Sequence, residues 1–195
     1  MKALIFTDLH GEHRAQRAVE KKSKKAELII LTGDLTIFEH NLRKLVLWLH
    51  KLGKTTLVLH GNHESEYHLK SECSKYKNLI FLHKSFFEKD GVLFAGYGGG
   101  GFSLRDREFE RFSKKIKVKA KGKKLILLLH GPPYGNRTDL ICEEHAGNKS
   151  YAEFIRKEKP AFVICGHLHE NNGVSDKIGK VPVINPGPEG RIIII

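Results

Sequence analysis

Seven side chains that can bind metal fall in five short clusters along the 195 residues, each cluster following an apolar run. Asp8 and His10 follow ALIFT. Asp34 follows LIILT and a glycine. Asn62 stands in Gly61-Asn62-His63-Glu64 after TTLVLH, His130 opens HGPP after LILLL, and His167 and His169 lie in GHLH after FVIC. Two carboxylates, one carboxamide and four imidazoles are too many donors for one tetrahedral ion. They suit two borderline cations that share a carboxylate. Mixed imidazole and carboxylate donors favour manganese, iron, zinc, cobalt or nickel over calcium, and manganese is the expected ion.

The apolar runs must position these donors. A short run rich in branched residues and closed by Gly or Asp reads as a buried strand. Donors at the ends of several such strands build one site from distant sequence. Asp8 and His10, two residues apart at a strand end, are expected on the same side. Strands are expected at 2–7, 27–32, 55–60, 79–82, 92–95, 124–130, 161–165, 181–184 and 191–195. Helical patterns fall at 13–25, 41–53, 105–117 and 149–159. The second of these carries Leu42, Leu45, Val46 and Leu49 at helical spacing and stops at Gly53. Strands and helices alternate through the first sixty residues or so, which argues βαβ units in one α/β domain over residues 1–195.

The five clusters, in this order, resemble the signature of the calcineurin-like metallophosphoesterases, which runs D-x-H, G-D, G-N-H-[DE], H, G-H-x-H. Here it reads DLH, GD, GNHE, HGPP and GHLH. The resemblance covers Asp8 to His169 and implies a four-layer α/β/β/α sandwich of two mixed sheets flanked by helices. It implies that Asp8, His10, Asp34 and His169 hold one ion and that Asp34, Asn62, His130 and His167 hold the other, with Asp34 bridging. It further implies hydrolysis of phosphoesters through a metal-bridging hydroxide. His63 is then no ligand but the residue that faces the substrate and helps the leaving oxygen depart. Glu64 is the acidic residue beside it, able to orient a histidine.

Tentative substrate residues are Gly98 and Gly99 in GYGGGGF, Tyr134 and Arg137 after HGPP, and His145 in EEHAGNKS. The glycines permit close backbone approach to a ligand, but no Lys-Ser/Thr follows as in a P-loop. The net charge of +12 draws anions. Much of it sits in KKSKK at 21–25 and KKIKVKAKGKK at 114–124, which read as solvated helix faces as well as they read as a nucleic-acid track. The favoured partner is a small or nucleotide-type phosphoester. A nuclease is the alternative, and a protein-binding scaffold with a degraded metal site fits less well because every donor is retained. Three cysteines without CxxC spacing suit a reducing cytoplasm. No apolar stretch approaches about 18 residues, so neither a membrane span nor a signal peptide is expected.

Overall fold

Strand β1 (Lys2–Phe6) leads through α1 (His13–Ser23) to β2 (Leu28–Leu31), α2 (Leu42–Lys51), β3 (Thr55–Val58), α3 (Glu66–Cys73) and β4 (Leu79–Phe81) in the computed structural model, which describes residues 1–195. The chain continues as β5 (Ser85–Lys89), β6 (Val92–Tyr97), α4 (Arg107–Lys119), β7 (Lys124–Leu129), β8 (Leu140–Ile141) and β9 (Glu144–His145). It closes with α5 (Lys149–Glu158), β10 (Phe162–Ile164), β11 (Ser175–Ile178), β12 (Val181–Ile184) and β13 (Arg191–Ile194). Strands β1 to β4 pair in parallel, and β13 covers the outer edge of β1 in the antiparallel sense. The second sheet has the order β11-β12-β10-β7-β6-β5. Its four inner strands are parallel and both edge strands antiparallel.

The period of two along each strand explains the layering. On β1, Ala3 and Ile5 join Ile30, Leu57, Ile126 and Ile164 between the two sheets. Leu4 and Phe6 turn the other way, onto Val19 of α1 and Val46 and Leu49 of α2. On β7, Leu127 and Leu129 face Phe109 and Ile116 of α4 and Ile155 of α5. Three apolar interfaces therefore separate four layers, which is the expected α/β/β/α sandwich. Burying each Leu, Ile or Phe side chain contributes about 1.5–3 kcal/mol, so truncating Ile126 in the central layer to Ala should cost about 2–5 kcal/mol.

Helix ends follow the local chemistry. The Asp106 side chain accepts the Phe109 N–H at 2.9 Å to start α4, and Asn148 accepts the Tyr151 N–H at 3.2 Å to start α5. Lys159 adopts the left-handed conformation, with φ 48°, to end α5. Parallel strands connected by crossovers place their outgoing loops at the carboxyl ends. The loops after β1, β2 and β3 thus meet those after β7 and β10 at one rim.

Candidate metal centre

Strand β1 stops at Phe6, so Asp8 and His10 do not share a face through strand alternation. They reach the rim through left-handed backbone, at φ 50° and 49°, and Asp34 and His167 do the same at 52° and 73°. A left-handed non-glycine residue costs roughly 1–2 kcal/mol. Four such residues among seven donors mark stored strain where the fold aims side chains inward. Gly61 serves the same end by lacking a side chain: a Cβ there would sit 1.9 Å from Asp34 Oδ1.

The donors converge as two overlapping groups. Ligand atoms of Asp8, His10, Asp34 and His169 lie within 4.8 Å of one another, and so do those of Asp34, His130 and His167. Asp34 belongs to both. Asn62 joins the second group, its Oδ1 lying 3.1 Å from His130 Nε2 and 2.8 Å from His167 Nδ1. Both sheets contribute: Asp8, His10, Asp34 and Asn62 follow strands of the first, and the other three follow strands of the second.

The ring tautomers show what the site requires. His10 Nδ1 donates to the Thr36 carbonyl at 2.8 Å, and His130 Nδ1 donates to the Thr32 carbonyl at 2.9 Å. Backbone acceptors of this kind fix the imidazole and turn Nε2 toward the centre. The bare Nε2 of His10 then faces His169 Nε2 at 3.0 Å. The Nε2 of His130, protonated in the metal-free protein, faces Asp34 Oδ2 at 3.4 Å and Asn62 Oδ1. His167 Nε2 is buried with no hydrogen-bond partner. Acceptors that face acceptors need a proton or a cation between them, so the donor set fits metal.

The charges respond accordingly. Burial opposes the charge on Asp34, but the hydrogen bond and charge of His130 outweigh it and hold the carboxyl down at about 2. Burial likewise opposes a charge on His130, yet Asp34 and then Asp8 hold its ring protonated up to about 9. Burial, then the neighbouring His130, pushes His167 down to about 4. Burial raises the Asp8 carboxyl above its ordinary value, although the His167 N–H donates to both its oxygens at 3.2 and 3.0 Å.

His63 stands beside this centre. Its N–H donates to Asp34 Oδ1 at 3.0 Å, and its Nε2 lies 4.0 Å from Asp34 Oδ2. The Phe38 N–H donates to its Nδ1 at 3.3 Å, which puts the proton of the neutral ring on Nε2, toward the centre. Glu64 holds no histidine. It is buried and accepts the Thr36 N–H and hydroxyl, both at 2.7 Å, and the Gly61 N–H at 3.1 Å, tying the loop after β2 to the loop after β3.

Gly98 and Gly99 lie over the buried ring of His60. The Gly98 N–H donates to His83 Nδ1 at 2.9 Å, and the Gly99 N–H donates to the His60 carbonyl at 2.8 Å. A Cβ on Gly98 would meet that carbonyl oxygen at 2.6 Å. His83 thereby keeps its neutral proton on Nε2, 3.5 Å from Glu66, and anchors the loop instead of offering a lone pair. Tyr134, Arg137 and His145 gather elsewhere, around the buried Asp139. His145 Nδ1 is 2.8 Å from Asp139 Oδ1, its ring is 5.3 Å from that of Tyr134, and the Arg137 N–H donates to Asp176. None of the three hydrogen-bonds or stacks with the seven donors. The Thr32 and Thr36 carbonyls and the Phe38 N–H, which fix three imidazoles, carry no signal in the sequence because every residue has such groups.

A four-layer sandwich with two overlapping donor groups at its strand ends is the scaffold of a metallophosphoesterase. The profile of the calcineurin-like phosphoesterases matches residues 1–171, and the chain belongs to that family. An uncharacterized protein of Methanocaldococcus jannaschii is 28% identical over 208 aligned residues, covering 99% of this chain and 91% of the relative. Among solved structures, TT1561 of Thermus thermophilus superposes with a TM-score of 0.78 at 18% identity, over 95% of this chain and 88% of the other. A dimetal phosphatase from Danio rerio superposes with a TM-score of 0.66 at 12% identity, over 95% and 86%. At these identities the two superpositions speak for the fold.

Proposed function

We propose that this protein is a binuclear-metal-dependent hydrolase of small or nucleotide-type phosphoesters, acting as a phosphodiesterase or phosphatase. The observation that carries this reading is Asp34, shared between two groups of converging donors with His63 beside it. Asp8, His10, Asp34 and His169 would hold one ion, and Asp34, Asn62, His130 and His167 the other. The description of a fold neighbour as a dimetal phosphatase supports the same reading. Manganese is the expected ion, and iron, zinc, cobalt and nickel suit the same donors.

When bound, such a pair supplies Lewis acidity toward phosphoryl oxygens and acidifies the attacking water. The chain does the rest. Asp34 stays anionic at neutral pH and balances positive charge from both sides. The Thr32 and Thr36 carbonyls keep His130 and His10 turned inward. His63, with its Nε2–H held toward the centre by Phe38, would donate a hydrogen bond to the ester oxygen and stabilise the negative charge that builds there as it leaves. Metal-supplemented assays on bis-p-nitrophenyl phosphate, p-nitrophenyl phosphate, cyclic nucleotides and single-stranded DNA test the reading. Manganese-dependent hydrolysis of the small esters is expected, and its absence from all of them with both ions bound would sink the assignment.

A further inference from the structure

Apolar side chains belong inside, yet Phe38 is 79% exposed and Phe102 is 67% exposed. Each lies on a ring of the centre. Phe38 packs against His63 with ring centroids 4.5 Å apart, and Phe102 packs against His167 at 5.1 Å. His63 is edge-on to His10 of the first group, with ring centroids 4.9 Å apart, and His167 belongs to the second. Ile37, next to Phe38, and Leu104, two residues after Phe102, are also exposed.

Hydrogen bonds hold the backbone of Phe38 and flank that of Phe102. Phe38 sits in left-handed backbone, at φ 46°, with its N–H bonded to His63. The loop carrying Phe102 is tied at its start by Gly98 and Gly99. It is tied at its end by the Ser103 carbonyl, which accepts from Asn148 at 2.8 Å, and the Leu104 carbonyl, which accepts from the Lys149 N–H at 2.8 Å. Two aromatic faces, open to solvent and packed on histidines of the candidate metal centre, are platforms for flat partners.

We infer that the substrate is a phosphodiester with a flat aromatic group, a nucleobase or an aryl ring, on each side of phosphorus, and that Phe38 and Phe102 select it. This rests on the phosphoesterase reading above. His63 serves the leaving oxygen, so Phe38 takes the leaving group and Phe102 the group that is retained. An apolar ring at the second end suits an esterified substituent better than the bare anionic oxygen of a monoester.

The test compares esters with one leaving group and different retained groups: the p-nitrophenyl esters of thymidine 5′-phosphate, phenyl phosphate and methyl phosphate. Phe102→Ala should raise KM for the thymidine and phenyl esters about tenfold, the size of one lost stacking contact, and leave the methyl ester within about twofold. A rise with thymidine alone would assign the platform to a nucleobase, and an equal rise with phenyl to any flat ring. For the other end, Phe38→Leu keeps the N–H that holds His63. It should raise KM for methyl phenyl phosphate but not for methyl hexafluoroisopropyl phosphate, whose leaving group has similar acidity without a flat face. Calorimetry gives a readout without turnover: thymidine 5′-phosphate should bind the metal-loaded protein more tightly than inorganic phosphate, and Phe102→Ala should erase most of the difference. Equal KM values across the ester series in the unaltered protein, or equal losses in the variants, overturn this inference and leave the phosphoesterase reading standing. No hydrolysis of any ester overturns both.

Discussion

The Nε2 of His10 lies 3.0 Å from the Nε2 of His169, across the junction between the two sheets. The Nδ1 of His10 is committed to the Thr36 carbonyl, so its Nε2 has only a lone pair to present. Two ring nitrogens at that distance share either a proton or an ion. Metal analysis after loading with excess Mn²⁺ should approach two ions per chain. Asp34→Asn should weaken both, because the carboxylate belongs to both groups. Loss of one ion with the other unaffected would contradict the shared role.

The contact between Phe38 and His63 leads to a prediction about turnover. His63→Gln should keep both ions and lower kcat by roughly 10²–10⁴-fold if the ring serves as a general acid. The loss should shrink for p-nitrophenyl esters, whose leaving oxygen needs less help from a proton. Equal losses for good and poor leaving groups would falsify the assignment, and loss of metal would make His63 a ligand.

Metal uptake should release protons. In the metal-free protein His130 keeps its proton up to about 9, above the ordinary value of 6.5, because Asp34 and Asp8 offset the penalty of burial. An ion at Nε2 must expel that proton, so affinity should rise with pH, by about tenfold per unit, until about pH 9 and then level off. The sign for folding is opposite. The stability that this proton gives the metal-free fold is fully present below pH 6.5 and is lost as pH rises through about 9. Titration calorimetry at pH 7.5 in buffers of different ionisation heat reads the released proton directly. Buffer-independent heats would count against it.

The lysine clusters should not make a nucleic-acid track across the site. Lys121, Lys123 and Lys124 stand where β7 begins, and His130 follows its other end. Six strand residues at about 3.3 Å each separate the two by roughly 20 Å. Binding to duplex DNA should therefore be weak, with shallow salt dependence. A track would lose affinity steeply, with log K falling by about 0.9 per phosphate contacted. Sub-micromolar binding to single-stranded nucleic acid at physiological salt, with metal-dependent degradation, would favour a nuclease.

The inner strands and the donor types were legible because both leave local marks. LIIL and LILLL are buried on both faces and read as continuous apolar runs. Edge strands leave weaker ones. Ser85–Lys89 has no fully buried residue, and only the Asp90-Gly91 turn, at φ 51° and 75°, announces that it folds back on β6. Helix α3 buries only Leu69 and Cys73, so its apolar stripe is too thin to stand out. At the site, residue type marked the side chains that converge, but the left-handed turns at Asp8 and His10 and the carbonyls behind His10 and His130 depend on where other strands lie. The aromatic platforms were missed for a related reason: Phe38 and Phe102 become unusual only when their exposure is known.

Each donor group draws on both sheets, with His169 completing the group of Asp8, His10 and Asp34, and His130 and His167 completing that of Asp34 and Asn62. An ion in either place is a rivet through the two halves of the sandwich. Mechanical load that pries the sheets apart at this rim would have to rupture coordination before it could peel the apolar layer behind it. Chelation would remove that resistance without altering a single side chain.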